Sequence, residues 1–86
     1  MTFDLPTWCK QRQVKTEEVA PAAYRVTGPN LPEAVVEARI ADELTWQAVL
    51  KAKPDGPDLE ASSATYDNPR DALMAAFELY RTRYVV

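Results

Sequence analysis

The chain has no histidine. That removes the commonest general base and the commonest switchable metal ligand. Cys9 is its one cysteine, so a disulfide within the chain is excluded. With a single thiolate and no imidazole, a Cys/His zinc site cannot be assembled from one copy. Gly28 and Gly56 are the only glycines, which rules out a glycine-rich phosphate loop. No apolar run approaches the roughly 20 residues of a membrane span, and no signal-peptide pattern is present. These absences argue against an enzyme, a metal or other cofactor, and a membrane partner. They also make a reducing, cytoplasmic setting the expectation.

What is present fits one small α+β domain over residues 1–86. The 86 residues are 47% hydrophobic and 27% charged. A chain of this size buries only about 60–65% of its unfolded surface, so its core is small. The net charge of −3 argues against a general affinity for phosphate backbones, which needs clustered Lys and Arg.

The last long stretch, Asp67 to Tyr84, carries the clearest pattern. Leu73, Ala76, Phe77, Tyr80 and Tyr84 fall at the spacing of a helix with one buried stripe. Asn68 suits the cap, Pro69 the first helical position, and Asp71 sits three residues after the cap. Asp67 and Asp71 lie at the positive end of the helix dipole, and Arg81 and Arg83 at the negative end. Tyr84, Val85 and Val86 form an apolar tail. Near the other terminus, Leu5, Trp8 and Cys9 share one helical face, predicting a short helix over about 5–13.

Residues 14–21 read as a polar connector ending at Pro21. Tyr24 and Val26 alternate with Arg25 and Thr27, a short strand stopped by Gly28-Pro29. The stretch 31–53 is rich in alanine and offers Asn30 and Glu33 as an imitation capping box. Periodicity nevertheless favours strands. Ala34, Val36, Ala38 and Ile40 share one face, and so do Leu44, Trp46, Ala48, Leu50 and Ala52. Glu37, Arg39, Thr45, Gln47 and Lys51 take the other face, into solvent, with Val35 and Val49 out of place there. A turn near Ala41 to Glu43 joins the two strands. Residues 54–66 begin as a Pro- and Gly-marked turn, and 59–66 are open to a brief fourth strand. The predicted order is α-β-β-β-α: an antiparallel sheet of three or four strands, with both helices packed on one face.

That order, and several residues, resemble a double-stranded-RNA-binding domain over Leu5 to Tyr84. The family's first helix corresponds to LPTWCKQR. Its proline, aromatic and first strand correspond to Pro21, Tyr24 and Val26, and its Gly-Pro to Gly28-Pro29. The last helix of the family opens Ser-Lys-Lys-x-Ala, followed by an alanine pair. Asn68-Pro69-Arg70-Asp71-Ala72 and Ala75-Ala76 stand in those places here. The family's two phosphate-holding lysines are thus replaced by Pro69 and Arg70, between Asp67 and Asp71. Family members without those lysines bind protein partners or pair with themselves. The resemblance therefore implies a non-enzymatic module for protein binding or homodimerisation. Weak double-stranded-RNA binding is the alternative. A small phage or mobile-element inhibitor of a nucleic-acid-processing complex is a third reading, motivated by size and acidity alone.

Candidate residues follow from these readings. Lys10, Gln11, Arg12 and Lys15 stand where such a domain reaches into a minor groove, or are a solvated helix face. Arg70 is a phosphate contact, or pairs with Asp67 or Asp71. Trp8 and Cys9 read as core. Asp55, Asp58 and Glu60 read as an acidic turn, since their spacing does not match a calcium loop. Val35, Glu37, Gln47 and Val49, on the open sheet face or an edge strand, and Tyr84 in the tail, are the partner-binding candidates, against the plainer reading of scattered exposed valines.

A titration with labelled duplex RNA separates the first two functions. The interaction-module reading expects no binding even at about 50 mM salt; binding with a steep salt dependence would reverse that order.

Overall fold

The computed structural model describes residues 4–85. Helix α1 is Thr7–Gln11, followed by strands β1 (Lys15–Ala20), β2 (Ala23–Gly28), β3 (Leu31–Asp42), β4 (Thr45–Lys51) and β5 (Asp58–Ala61). Helix α2 (Pro69–Tyr80) runs on into a wider, π-helical turn over Arg81–Val85. The strands form one antiparallel sheet in chain order. The α+β class matches expectation, but the sheet has five strands rather than three or four.

The additional strand is β1, in the stretch that reads as a connector. Its residues KTEEVA carry little apolar alternation, and none is fully buried. Its strand conformation comes from pairing with β2, Lys15 opposite Thr27 through Ala20 opposite Ala23, not from an apolar face of its own. The turn between them is Pro21-Ala22, with Ala22 at φ 60°. Pro29-Asn30 repeats the device between β2 and β3, with Asn30 at φ 59°. Proline presets the first turn position, and a left-handed residue follows it. Strand β5 is shorter than 59–66 and begins one residue earlier, at Asp58. Tyr66 pairs separately with Trp46, exchanging two backbone hydrogen bonds of 2.8 Å.

Helix α1 is shorter than 5–13: it starts after Pro6, and its C-terminal end is closed at Gln13, at φ 58°. The Val14 N–H reaches back to the Cys9 carbonyl at 2.8 Å, and that of Gln13 to Lys10 at 3.3 Å. This is the helix-ending pattern glycine usually serves, and here Gln13 serves it. Helix α2 starts as its sequence predicts. Asn68 Oδ1 accepts from the Asp71 N–H at 2.8 Å, and Pro69 follows the cap.

Ala72, Leu73, Ala76, Phe77 and Tyr80 of α2 are all fully buried. They meet Val26, Ala34, Val36, Ala48 and Leu50 of the sheet, with Cys9 and Val14 closing one end. Trp8 stacks on Tyr80 with ring centroids 5.8 Å apart and meets Phe77 edge-on at 6.5 Å. The Tyr80 hydroxyl donates to the Pro32 carbonyl at 2.6 Å, tying the end of α2 to the start of β3.

Three residues assigned to the helix-facing core are not covered. Ile40 is 63% exposed and Leu44 80%. Ala52 is also exposed, beyond the end of β4. The alternation is right, since Ile40 pairs with Trp46 on the helix-facing side; the cover runs out. Helix α2 and strand β3 each have 12 residues. A helix of that length spans about 18 Å, and a strand about 40 Å.

Phe77→Ala is expected to cost about 3–5 kcal/mol, as a fully buried aromatic lost from a tight core. Tyr80→Phe is expected to cost about 0.5–1.5 kcal/mol through the lost hydrogen bond to Pro32. Urea unfolding of both variants checks the order; equal losses would show that the Tyr80 hydroxyl holds α2 to the sheet as strongly as the Phe77 ring does.

Candidate functional site

The outer sheet face held the first partner-binding candidates. Val35 and Val49 do lie there, outside the main core cluster, yet they are only 1% and 0% exposed. Their cover is a set of flattened ion pairs. Lys51 Nζ lies 3.2 Å from Glu37, with side chains 15% and 18% exposed. Arg25 sits opposite Val35 and reaches Glu17 at 2.6 Å. Arg39 donates to both Asp58 carboxylate oxygens, at 3.1 and 2.8 Å. Arg39 stands opposite Gln47, and Asp58 opposite Lys51, so this bridge passes over Val49 between them. Gln47 in turn accepts from Arg39 at 3.5 Å and donates to the Ser62 carbonyl at 2.8 Å. The long stems lie on the valines while the charged heads find one another. Val35, Glu37, Gln47 and Val49 are therefore not an open sticky surface, because their neighbours' side chains close it. Tyr84 is half-buried, packed on Tyr80 at 5.0 Å between ring centroids. Val85 packs against the same core, and Val86 lies outside the described residues.

Arg39's two hydrogen bonds hold the Asp58 carboxyl below its ordinary value of 3.8. Glu60 faces Arg83 at 4.0 Å. Asp58 and Glu60 are thus turned toward cations, and no group of three or more Cys, Asp or Glu placed to hold a metal occurs among the described residues.

The cationic candidates divide into two places. Lys10, Gln11, Arg12 and Lys15 are exposed at the end of α1 and the start of β1. Trp8 anchors that end beside Phe77 and Tyr80. Arg70 stands ten residues before Tyr80, about 15 Å away along the helix. At that end, Asn68 Nδ2 donates to Asp71 Oδ2 at 3.0 Å, so the helix start is already served by its own cap and carboxylate.

Cys9 is a core residue, as read, and Trp8 is partly buried against that core. Burial, helped by the Glu78 carboxylate, pushes the Cys9 thiol up from 9.0 to about 12. Burial likewise pushes the Tyr80 phenol up from 10.0 to about 12, with Tyr84 and Cys9 adding to the rise. A thiol held neutral in this way is a packing group and not a nucleophile.

The open surface lies where α2's cover ends. There the sheet carries a groove of about 520 Å³, lined by Ala20, Pro21, Ala22, Ala38, Ile40 and Trp46, with Glu37 and Arg39 at its outer side. No residue of either helix lines it. Leu44 adds further apolar surface at the hairpin tip. Of these residues only Glu37 stood out in the sequence as a site candidate, and there as part of the opposite sheet face. The one available signal was geometric: an alternating strand too long for the helix predicted to cover it.

Comparison with protein-family models, with curated proteins and with solved structures finds no match for the chain. No helix among the described residues is long and apolar enough to cross a membrane.

Two outcomes follow from the charges and the buried groups. Lys51→Ala should destabilise the fold more than Lys51→Met, because methionine keeps a stem over the valines; chemical denaturation giving the reverse order would assign the effect to charge alone. Cys9 and Tyr80 are both held in their neutral forms on folding. The stability this contributes is complete below about pH 9 and is lost as pH rises toward about 12. Urea midpoints should fall across that window, with a shallower fall in Tyr80→Phe; a flat profile would contradict it.

Proposed function

We propose that the chain is a non-enzymatic interaction module that binds protein through the uncovered end of its helix-facing sheet surface. The observation that carries this is the pairing of exposed Ile40 (63%) and Leu44 (80%) with an apolar groove against Trp46 and Pro21. Apolar surface gathered around a concave wall is what a partner can desolvate at a gain, whereas single scattered apolar residues are ordinary. The outer face supports contact less well, since its charges are already paired with one another.

The likeness to a double-stranded-RNA-binding domain that has lost its phosphate clamp supports the same class of function. It rests on the Gly28-Pro29 hairpin and on Ala72, Ala75 and Ala76 of α2, with β1 and β5 as additions to that order. Duplex-RNA binding draws on the exposed Lys10, Arg12 and Lys15 alone, because Arg70 stands apart beside Asp71. Phosphate imitation by an inhibitor draws on less, since Glu17, Glu37, Asp58 and Glu78 are already engaged by Arg or Lys.

The test is selection of short random displayed peptides on the wild-type protein, with counter-selection on an Ile40→Lys/Leu44→Lys variant. Both positions are exposed, so the variant should stay within about 0.5 kcal/mol of wild-type stability. Peptides that bind the wild type and not the variant are expected. Recovery of none, or only of peptides that bind both equally, would remove the groove as the site.

A further inference from the structure

We infer that the groove takes an extended, basic segment of a partner protein, added as a strand beside Ile40. This rests on the reading of the groove as the binding site and specifies what fills it.

Trp46 directs both its N–H and its carbonyl to Tyr66, away from β3. Ile40, its partner in register, therefore exchanges no backbone hydrogen bonds with it and turns its own polar groups toward the β2 side. Two residues earlier, Ala38 points the same way and donates to the Ala22 carbonyl at 2.9 Å. Strand β2 begins at Ala23 and its preceding turn folds back at Pro21, so no strand reaches Ile40 from that side. The Ile40 N–H and carbonyl thus form an open rung of the ladder inside the groove. An extended backbone answers such a rung; a helix, with its own groups satisfied, does not.

The true edges of the sheet are less inviting. Strand β1 presents Glu17 and Glu18 and shifts register between Glu18 and Ala20. Strand β5 has four residues and follows Pro57. Bulges, charge and brevity are the usual means of blunting an edge. The rung at Ile40 is short and a register shift follows it between Ile40 and Asp42, but it opens onto the apolar side chains of Pro21, Ala22 and Trp46.

The side chains set the partner's composition. Pro21, Ala22, Ala38 and Trp46 give an apolar wall that suits one apolar residue of the incoming segment. Around it, Glu18 on β1 and Asp42 and Glu43 at the hairpin tip are in no ion pair among the described residues. The nearer charges, Glu37 and Arg39, are already neutralised by Lys51 and Asp58. The field at the groove is therefore negative, and Lys or Arg on either side of the apolar residue would complement it.

The experiment uses a short alternating lysine–valine peptide and its glutamate–valine counterpart, each titrated into isotope-labelled protein. The lysine–valine peptide is expected to shift the Ile40 amide and the Trp46 indole, to slow exchange of the Ile40 amide by about tenfold at saturation, and to weaken as salt is raised. The glutamate–valine peptide should not bind, and Ile40→Lys should abolish binding. Three results would overturn the inference: no binding of the lysine–valine peptide, equal binding of both peptides, or binding without slowed exchange at Ile40. If the displayed peptides recovered in the selection above need the groove yet leave Ile40 exchange unchanged or are acidic, the groove stands as the site and strand addition falls. A light-scattering mass of two chains that Ile40→Lys returns to one would also overturn it, by placing a second copy in the groove.

Discussion

A helix advances about 1.5 Å per residue and a strand about 3.3 Å. Helix α2 and strand β3 contain the same number of residues, so one cannot cover the other. The rest of the molecule arranges itself around that shortfall. The Tyr80 hydroxyl pins the end of α2 to Pro32, and Trp8 brings α1 to the same place. Both helices therefore crowd the start of β3. The far end, with Ile40 and its neighbour Trp46, is left with alternation suited to a core and only a partial cover.

The opposite face solves a similar problem by different means. It has no helix, yet Val35 and Val49 are as dry as the core. Long charged side chains lie across them, and each charge is met by another from an adjacent strand or, for Arg39 and Asp58, from the strand beyond it. Exposed ion pairs of this sort contribute modestly as charges. Here their larger effect is to hold aliphatic stems flat over valine. The same arrangement spends most of the sheet's charge internally and leaves the unpaired acids, Glu18, Asp42 and Glu43, at the groove end. The fold thus separates a closed, balanced face from an open, apolar and negatively bordered one.

Much of this was legible from local signals. Asn68, Pro69 and the stripe through Leu73, Phe77 and Tyr80 defined α2, because a cap and a 3.6-residue period need nothing beyond the helix. The alternation through 34–40 and 44–50 defined β3 and β4 for the same reason. Strand β1 was not legible. A solvent-edge strand needs no apolar face, and what makes Lys15–Ala20 a strand is the register of β2 beside it. The end of α1 was missed because a glutamine takes the left-handed position where glycine is the usual sign. The exclusion of disulfide and Cys/His zinc chemistry within one chain came from composition, since a disulfide needs a second cysteine and such a zinc site needs more thiolates or imidazoles than Cys9 alone supplies.

The candidate site divides along the same line. Sequence alone determined which residues can share a face: Val35 with Val49 on one side, Ile40 with Trp46 on the other. It therefore pointed to the polar face, where two valines looked out of place. Only the tertiary structure decided which face is open. Burial of a valine depends on whether Lys51, Glu37, Arg39 and Asp58 reach across it, and exposure of an isoleucine on whether α2 extends that far. Both are questions of distance between segments far apart in the chain. Periodicity reports the direction a side chain takes; it carries no record of what lies opposite.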